Sequence, residues 1–433
     1  MKKNGFTLVE ITVCVVLLVT IFLLVVPKVN TMINNKKKNA YNSLISTVKD
    51  AAQAYVYLNV NIVDDAIESQ GYYEVSIRTL QENELLENKL ENPLTGKNIP
   101  STSIVKIIKN NEEYIYKFSL DYQYLLEHII DLYSSEETRI SNGLKKDNTP
   151  DQNIRYYGSN PNNYVSFNNE LWRIIGVFGN NVKLVRKDSL GSLSWDSSES
   201  SINGGVGINQ WGESKDADGN EYAGADLQVY LNKMYYGGTS VTCYGGTKNS
   251  TTTCPTNTLD NTAKALIDNH TWNTGAPNHS TLYNSTTQSY DTVEFYKAER
   301  GTVNGKICSS GTYCNDTVTR TTEWTGYIGL PYVTDWAYAS SENDCNTKID
   351  RSSTYKCKNN NWMHRSTSTW YMSPYAIPYN ATSVWYVYGD GSSGLSLAAD
   401  ALSAFPTIYL KSNVLIESGN GTSSSPYILK AGL

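Results

Sequence analysis

Histidine is scarce in this chain of 433 residues, at 4 in all, and so are methionine (5) and phenylalanine (7). Four histidines leave few ligands for a transition metal and few bases that titrate near neutrality. No catalytic residue, no metal site and no cofactor is therefore read from the sequence, and an enzyme is not the expected class. No HExxH, P-loop or serine elbow is present. Asp335, beside Trp336, and the isolated His364 are accordingly given no catalytic role. The segment Asp216 to Glu221 alternates oxygen-bearing residues in the manner of a calcium loop, but its glycine, Gly219, comes too early and Leu227 stands where a bidentate glutamate belongs. It reads as a polar turn. Positive charge is short as well: the formal net charge is −6. The one dense basic run, Lys36 to Lys38, adjoins a hydrophobic segment. Direct nucleic-acid binding is not expected, because phosphate contact draws on Lys and Arg.

What the chain has in quantity is tyrosine. There are 33 Tyr and 9 Trp, set after about residue 150 among Asn, Ser, Thr and Gly. Such a composition gives rigid aromatic surfaces with adaptable hydrogen bonding, suited to sugar rings or to a protein ligand. Trp324, Trp336, Trp362, Trp370 and Trp385, with Tyr327, Tyr332, Tyr371 and Tyr386, are the candidate ligand-binding aromatics, and core packing is the competing role for each. Seven cysteines are present. Cys14 lies in an apolar run and reads as a small buried residue. The other six fall in close pairs, Cys243 with Cys254, Cys308 with Cys314, and Cys345 with Cys357. Other connectivities exist, but three local bridges are the simplest, and they imply an oxidising compartment.

Residues 6–26 are almost wholly apolar, and 21 residues at about 1.5 Å each match a hydrocarbon layer of roughly 30 Å. A single-pass span is expected, with the N-terminus cytoplasmic after Lys2 and Lys3 and the rest of the chain outside, at the cell surface or in an extracellular fibre. Glu10 stands inside this run, where a carboxylate costs about 2.5–3.5 kcal/mol and is usually functional. The run Lys2-Lys3-Asn4-Gly5-Phe6-Thr7-Leu8-Val9-Glu10 resembles the processing motif of type IV pilins and pseudopilins. The resemblance implies cleavage by a prepilin peptidase between Gly5 and Phe6, N-methylation of Phe6, a role for Glu10 in assembly with other subunits and the pilus machinery, and a helix kink at Pro27. Physical reasoning agrees in part: Gly5 lets a protease approach the backbone, and cleavage leaves an amine at Phe6 that Glu10 can neutralise.

Beyond Pro27 the apolar positions Tyr41, Leu44, Ile45, Val48, Ala52, Tyr55 and Val56 keep the spacing of an amphipathic helix. Lys36 to Lys38 read as solvated. A helix at Val75 to Leu86, strands at Ser103 to Lys109 and Tyr114 to Asp121, and a helix over 122–133 would complete a small head. The polar stretch 134–152 reads as a linker. The C-terminal part shows strands at Tyr164 to Phe167, Glu170 to Phe178 and Asn181 to Arg186, and a helix at Ala225 to Tyr236. Four stretches, Asn169 to Gly176, Asp226 to Tyr236, Trp370 to Pro374 and Pro406 to Tyr427, resemble an uncharacterised surface-protein domain related in outline to the formylglycine-generating, C-type-lectin-like fold. The catalytic members of that group use a reactive cysteine pair, which is not read here.

The expected fold class is thus α+β: a long N-terminal transmembrane and amphipathic helix carrying a small α+β pilin head, followed by a large, loop-rich, disulfide-stapled α+β domain. The expected boundaries are a leader at 1–5, the pilin helix at 6–59, the head at 60–133, the linker at 134–152 and the surface domain at 153–433. The expected function is a minor pilin or pseudopilin that displays an adhesin-like domain. Two alternatives stand: a pseudopilin of a DNA-uptake or type II-like secretion apparatus, and a membrane-anchored glycan-active enzyme working through two carboxylates.

Overall fold

The structure, a computed structural model, describes residues 36–431 except 38, 94–97, 111–112, 119–122, 199–207, 216–220, 247, 304–305, 308–317, 319–320, 352–355 and 377–380. Gly5, Phe6, Glu10, Cys14, Pro27 and the apolar run 6–26 lie outside the described residues, as do Cys308, Cys314 and most of the polar turn at Asp216. The chain divides into two compact units, residues 1–123 and 124–433.

The N-terminal unit is built on helix α1, residues 39–58. Val48, Ala51, Ala52, Tyr55 and Val56 form its buried face. That i, i+3, i+4 stripe meets Val75, Ile77, Leu80, Val105 and Ile107 in one hydrophobic cluster. Asn59 interrupts the helix, and α2 (Val60–Gln70) follows, closed by Gly71 in the left-handed region at φ 86°. The chain then forms β1 (Tyr73–Ser76), α3 (Ile77–Glu82), β2 (Ile104–Asn110) and β3 (Glu113–Phe118). Ser76 caps α3, its hydroxyl accepting from Thr79 N at 3.0 Å. The three strands make an antiparallel sheet in the order β1-β2-β3, with Val105 opposite both Val75 and Phe118.

The expected membrane span, and with it the single-pass localisation, is corrected here. Among the described residues no helix is long and apolar enough to cross a membrane. α1 buries one stripe against the sheet and leaves Tyr57 and Leu58 near its end exposed, the amphipathic helix expected beyond Pro27.

The C-terminal unit is mostly strands and loops. Its larger sheet runs through Ile328–Gly329, Thr407–Leu410, Asn181–Arg186, Glu170–Phe178, Tyr164–Phe167, Tyr427–Lys430 and Leu415–Ser418. The strand Ile154–Tyr156 also pairs with Glu170–Phe178. That approach demands glycine at 176, because a Cβ there would stand 2.1 Å from Ile154 O. A second sheet orders Ser192–Ser194, Ala401–Ser403, Thr369–Pro374, Ser383–Val387 and Ser393–Leu397. Most positions of its central strands Thr369–Pro374 and Ser383–Val387 are buried on both faces, so their near-continuous apolar and aromatic content replaces the alternation of a half-exposed strand.

Two boundaries move. The helix expected to finish the head, observed as α4 (Leu125–Ser134), gives Leu125, Leu126 and Ile129 to the core of the C-terminal unit. The supposed linker is folded: it holds α5 (Glu136–Asn142), a turn at Gly143 and the strand Leu144–Lys146. Its polarity misleads because Asp147 is buried and gathers donors from its own loop. Thr149 Oγ1 donates to it at 2.6 Å, and Asn153 donates through N and Nδ2, each at 3.0 Å.

Among the described residues two disulfides form, Cys243–Cys254 and Cys345–Cys357, with Cα separations of 5.2 and 5.5 Å. Each closes a short local loop. Replacing Cys345 and Cys357 together by Ser is expected to lower unfolding stability by about 3 kcal/mol, read from urea titration of the oxidised protein and the variant. A change below about 0.5 kcal/mol would show that the loop is ordered without its bridge.

Candidate functional site

Four of the five candidate tryptophans are closed off from solvent. Trp336, Trp370 and Trp385 are 0% exposed and Trp362 3%. The indole N–H of Trp362 donates to Tyr156 O at 2.8 Å, that of Trp370 to Leu193 O at 2.9 Å, and that of Trp385 to Pro277 O at 2.9 Å. These residues are the core, and the expectation that they form a ligand platform is corrected. Tyr332, Tyr371 and Tyr386 are buried too. Trp324 is half-buried and donates to Glu213 Oε2 at 2.9 Å; Tyr327, also half-buried, stacks on Tyr236 with centroids 4.1 Å apart.

The strongest concentration of charge is internal. Arg155 Nε donates to Asp147 Oδ2 at 2.6 Å and its Nη1 to Asp335 Oδ1 at 2.6 Å, while Lys183 Nζ donates to Asp335 Oδ2 at 2.6 Å. All four side chains are at most 1% exposed. Burial works against the Asp335 carboxylate, but Lys183 and Arg155 more than reverse it and hold its pKa below the usual range. Tyr332 packs over Lys183, with its ring centroid 4.2 Å from Nζ, and Tyr409 stands at 5.3 Å. Next to this group Glu299, fully buried, accepts from Thr334 N at 3.2 Å and from Thr334 Oγ1. Burial raises its pKa to about 7. Two carboxylates against two cations leave the four-residue group neutral, and no ligand can reach it. It is a structural hub.

A ligand can reach the surface groove of about 540 Å³ formed around residues 281–291 and 347–348, a volume typical of small-molecule sites. Asn278 caps the short helix His279–Leu282, its Oδ1 accepting from Thr281 N at 3.2 Å. The chain then forms the strand Tyr283–Asn284. Asn284 turns it, accepting from Thr286 N at 3.0 Å and Thr287 N at 3.1 Å, and the strand Ser289–Asp291 returns antiparallel to it. A third strand, Lys348–Asp350, pairs with Ser289–Asp291, setting Tyr290 opposite Ile349 and Asp291 opposite Lys348. Alternation does the rest. Tyr290 and Ile349 point into the core, where Tyr290 meets Phe295 and Trp385 edge-on, and Asp291 and Lys348 line the groove.

Around them stand Thr281, Tyr283, Asn284, Ser285, Thr287 and Thr347. The lining is rich in hydroxyl and amide groups, with one aromatic ring. Its carboxylate among the described residues, Asp291, is engaged by Glu294 N at 2.9 Å as a helix cap. At the rim, His279 Nδ1 lies 2.9 Å from Tyr290 Oη, and Arg351 Nη1 lies 2.7 Å from His279 Nε2. Burial and then the Arg351 charge hold the His279 pKa below the ordinary histidine value. Arg351 Nη1 also lies 3.2 Å from His279 Nδ1, so the guanidinium sits against the imidazole ring as a whole. Sequence reading missed this groove. Its one available signal was the polar run Asn284 to Gln288 between Tyr283 and Tyr290, and that run does not announce the strand that joins it from residue 348. Among the described residues no group of His, Cys, Asp and Glu is placed to hold a metal ion.

No family model matches the chain, and no curated protein and no solved structure matches it either.

Proposed function

We propose that this chain is a type IV pilin-like subunit, processed by a prepilin peptidase between Gly5 and Phe6, whose C-terminal unit is a binding module of the assembly. The observation that carries the reading is the run from Lys2 to Glu10, in which a glycine precedes an apolar stretch holding one carboxylate five positions on. Two features support it. The N-terminal unit lays a helix over a three-stranded sheet, a layout similar to pilin heads. The C-terminal unit carries two disulfides, which persist in oxidising compartments where such assemblies work. Binding is favoured over turnover at the groove, since glycoside hydrolysis needs two carboxyl groups flanking the bond and, among the described residues, the lining supplies Asp291 alone.

Mass spectrometry of the mature N-terminus is the test. In cells that hold a prepilin peptidase the protein is expected to begin at methylated Phe6, and in cells without one at Met1. An intact Met1 in both would overturn the pilin reading and leave the binding module without this pathway.

A further inference from the structure

An exposed guanidinium with no carboxylate beside it is a ready partner for an anionic group. Arg351 is exposed, and among the described residues its partners are the neutral ring of His279 and the face of Tyr283, 5.3 Å from ring centroid to guanidinium carbon. The chain of contacts Tyr290, His279, Arg351 starts from a residue only 1% exposed. The guanidinium is thus positioned from the core outward without having its charge neutralised. Backbone adds to this, Arg351 N donating to Gln288 O at 3.2 Å, which ties the residue to the turn that bounds the groove. Lys348, also exposed, is a second cation in the lining, opposed there by Asp291. Arg351 adjoins the lining through Tyr283, whose ring also packs against His279 with centroids 4.5 Å apart, and Tyr283 lines the groove together with Asn284 and Ser285, an aromatic ring with an amide and a hydroxyl. A puckered ring with an apolar C–H face, hydroxyls around it and one carboxylate at its edge satisfies all of these at once. The carboxylate matches the fork of the guanidinium, the ring face lies on tyrosine, and the hydroxyls meet Asn and Ser.

We propose that the groove binds a carboxylate-bearing sugar of the uronic-acid type, with Arg351 pairing its carboxylate and Tyr283 supporting its pyranose ring. This rests on the reading of the C-terminal unit as a binding module and names its ligand class. His279 is a positioning residue, its ring packed against Arg351 Nη1. Neutral sugars of the same shape lose the ion pair and bind more weakly, and a second guanidinium elsewhere on the surface contributes nothing.

The experiment is calorimetric titration of the full, disulfide-intact chain with a galacturonic acid trisaccharide, with the same trisaccharide reduced to the neutral hexose, and with a glutamate-rich peptide. Binding of the uronate, with affinity falling roughly tenfold or more on reduction to the neutral sugar and equally in Arg351→Gln, is the expected result. Tyr283→Ala is expected to weaken both sugars. Arg139→Gln, half-buried on α5 and outside the groove, is expected to leave binding unchanged and controls for net charge. Equal affinity for acidic and neutral sugar would overturn the carboxylate subsite while leaving a binding module in place. Arg351-dependent binding of the peptide but not of the uronate would overturn the sugar and make the ligand an acidic protein. No binding of any of the three at millimolar concentration would overturn the proposal, without touching the N-terminal processing measured separately.

Discussion

Asp335→Asn is expected to destabilise the C-terminal unit by about 3–5 kcal/mol, the usual result of removing one member of a buried ion pair. Asp335 stands between Arg155 and Lys183 and also accepts from Tyr332 N at 2.9 Å. Neutralising it leaves two interior cations facing Asp147 alone, so one charge is uncompensated in a region without water access. Lys183 then gives up its proton, or the strand Asn181–Arg186 shifts to expose it. The comparison that gives the number meaning is Asp344→Asn, whose partner Lys356 lies 3.1 Å away with both side chains more than half exposed. There less than about 1 kcal/mol is expected. Guanidinium unfolding followed by near-ultraviolet circular dichroism, sensitive to the buried tryptophans, measures both. Equal small losses would mean that the interior network is solvated.

Glu299→Gln is expected to change the pH dependence of stability rather than its value in acid. A carboxyl whose folded pKa is near 7, against an ordinary 4.5, keeps its proton longer in the folded state. The stability it contributes is fully present below the unfolded pKa and is lost as pH rises through about 7, because a charge must then be buried. Over that window the loss is roughly 3 kcal/mol. Glutamine keeps the acceptor for Thr334 N and cannot ionise. The variant and the parent should therefore diverge progressively from pH 5 to pH 8, with the variant the more stable at the upper end. Taking the difference between the two proteins removes other titrating groups, including Asp196, which burial and then Asp226 also raise to about 7. Parallel stability curves would show that Glu299 is ionised throughout.

How much of this was legible in sequence depends on the distance between partners. The strands Tyr164–Phe167, Glu170–Phe178 and Asn181–Arg186 were readable because a local apolar pattern and the turn at Gly179 define them. Cys345 and Cys357 were readable as a pair because they are 12 residues apart. Lys183 was not readable as an interior residue. Its neighbours Val182 and Leu184 would mark it as the solvent-facing member of an alternating strand, yet both faces of that strand are covered and its partner Asp335 is 152 positions away. The tryptophans misled for a related reason. A large side chain with one polar atom can satisfy that atom on a backbone carbonyl and bury the remainder, so in a core of this size tryptophan goes inside. The stretch 134–152 looked like a linker because buried polar groups that satisfy one another have the composition of exposed ones.

The strand Tyr427–Lys430 is not at the margin of its sheet. It lies between Leu415–Ser418 and Tyr164–Phe167, and it runs parallel to the latter. Residues about 260 positions apart must therefore meet before the centre of the sheet exists, and until they do Tyr164–Phe167 has one side unpaired. The centre of this sheet thus depends on a contact of high sequence separation, which makes its closure a slow and late step in the folding of the C-terminal unit.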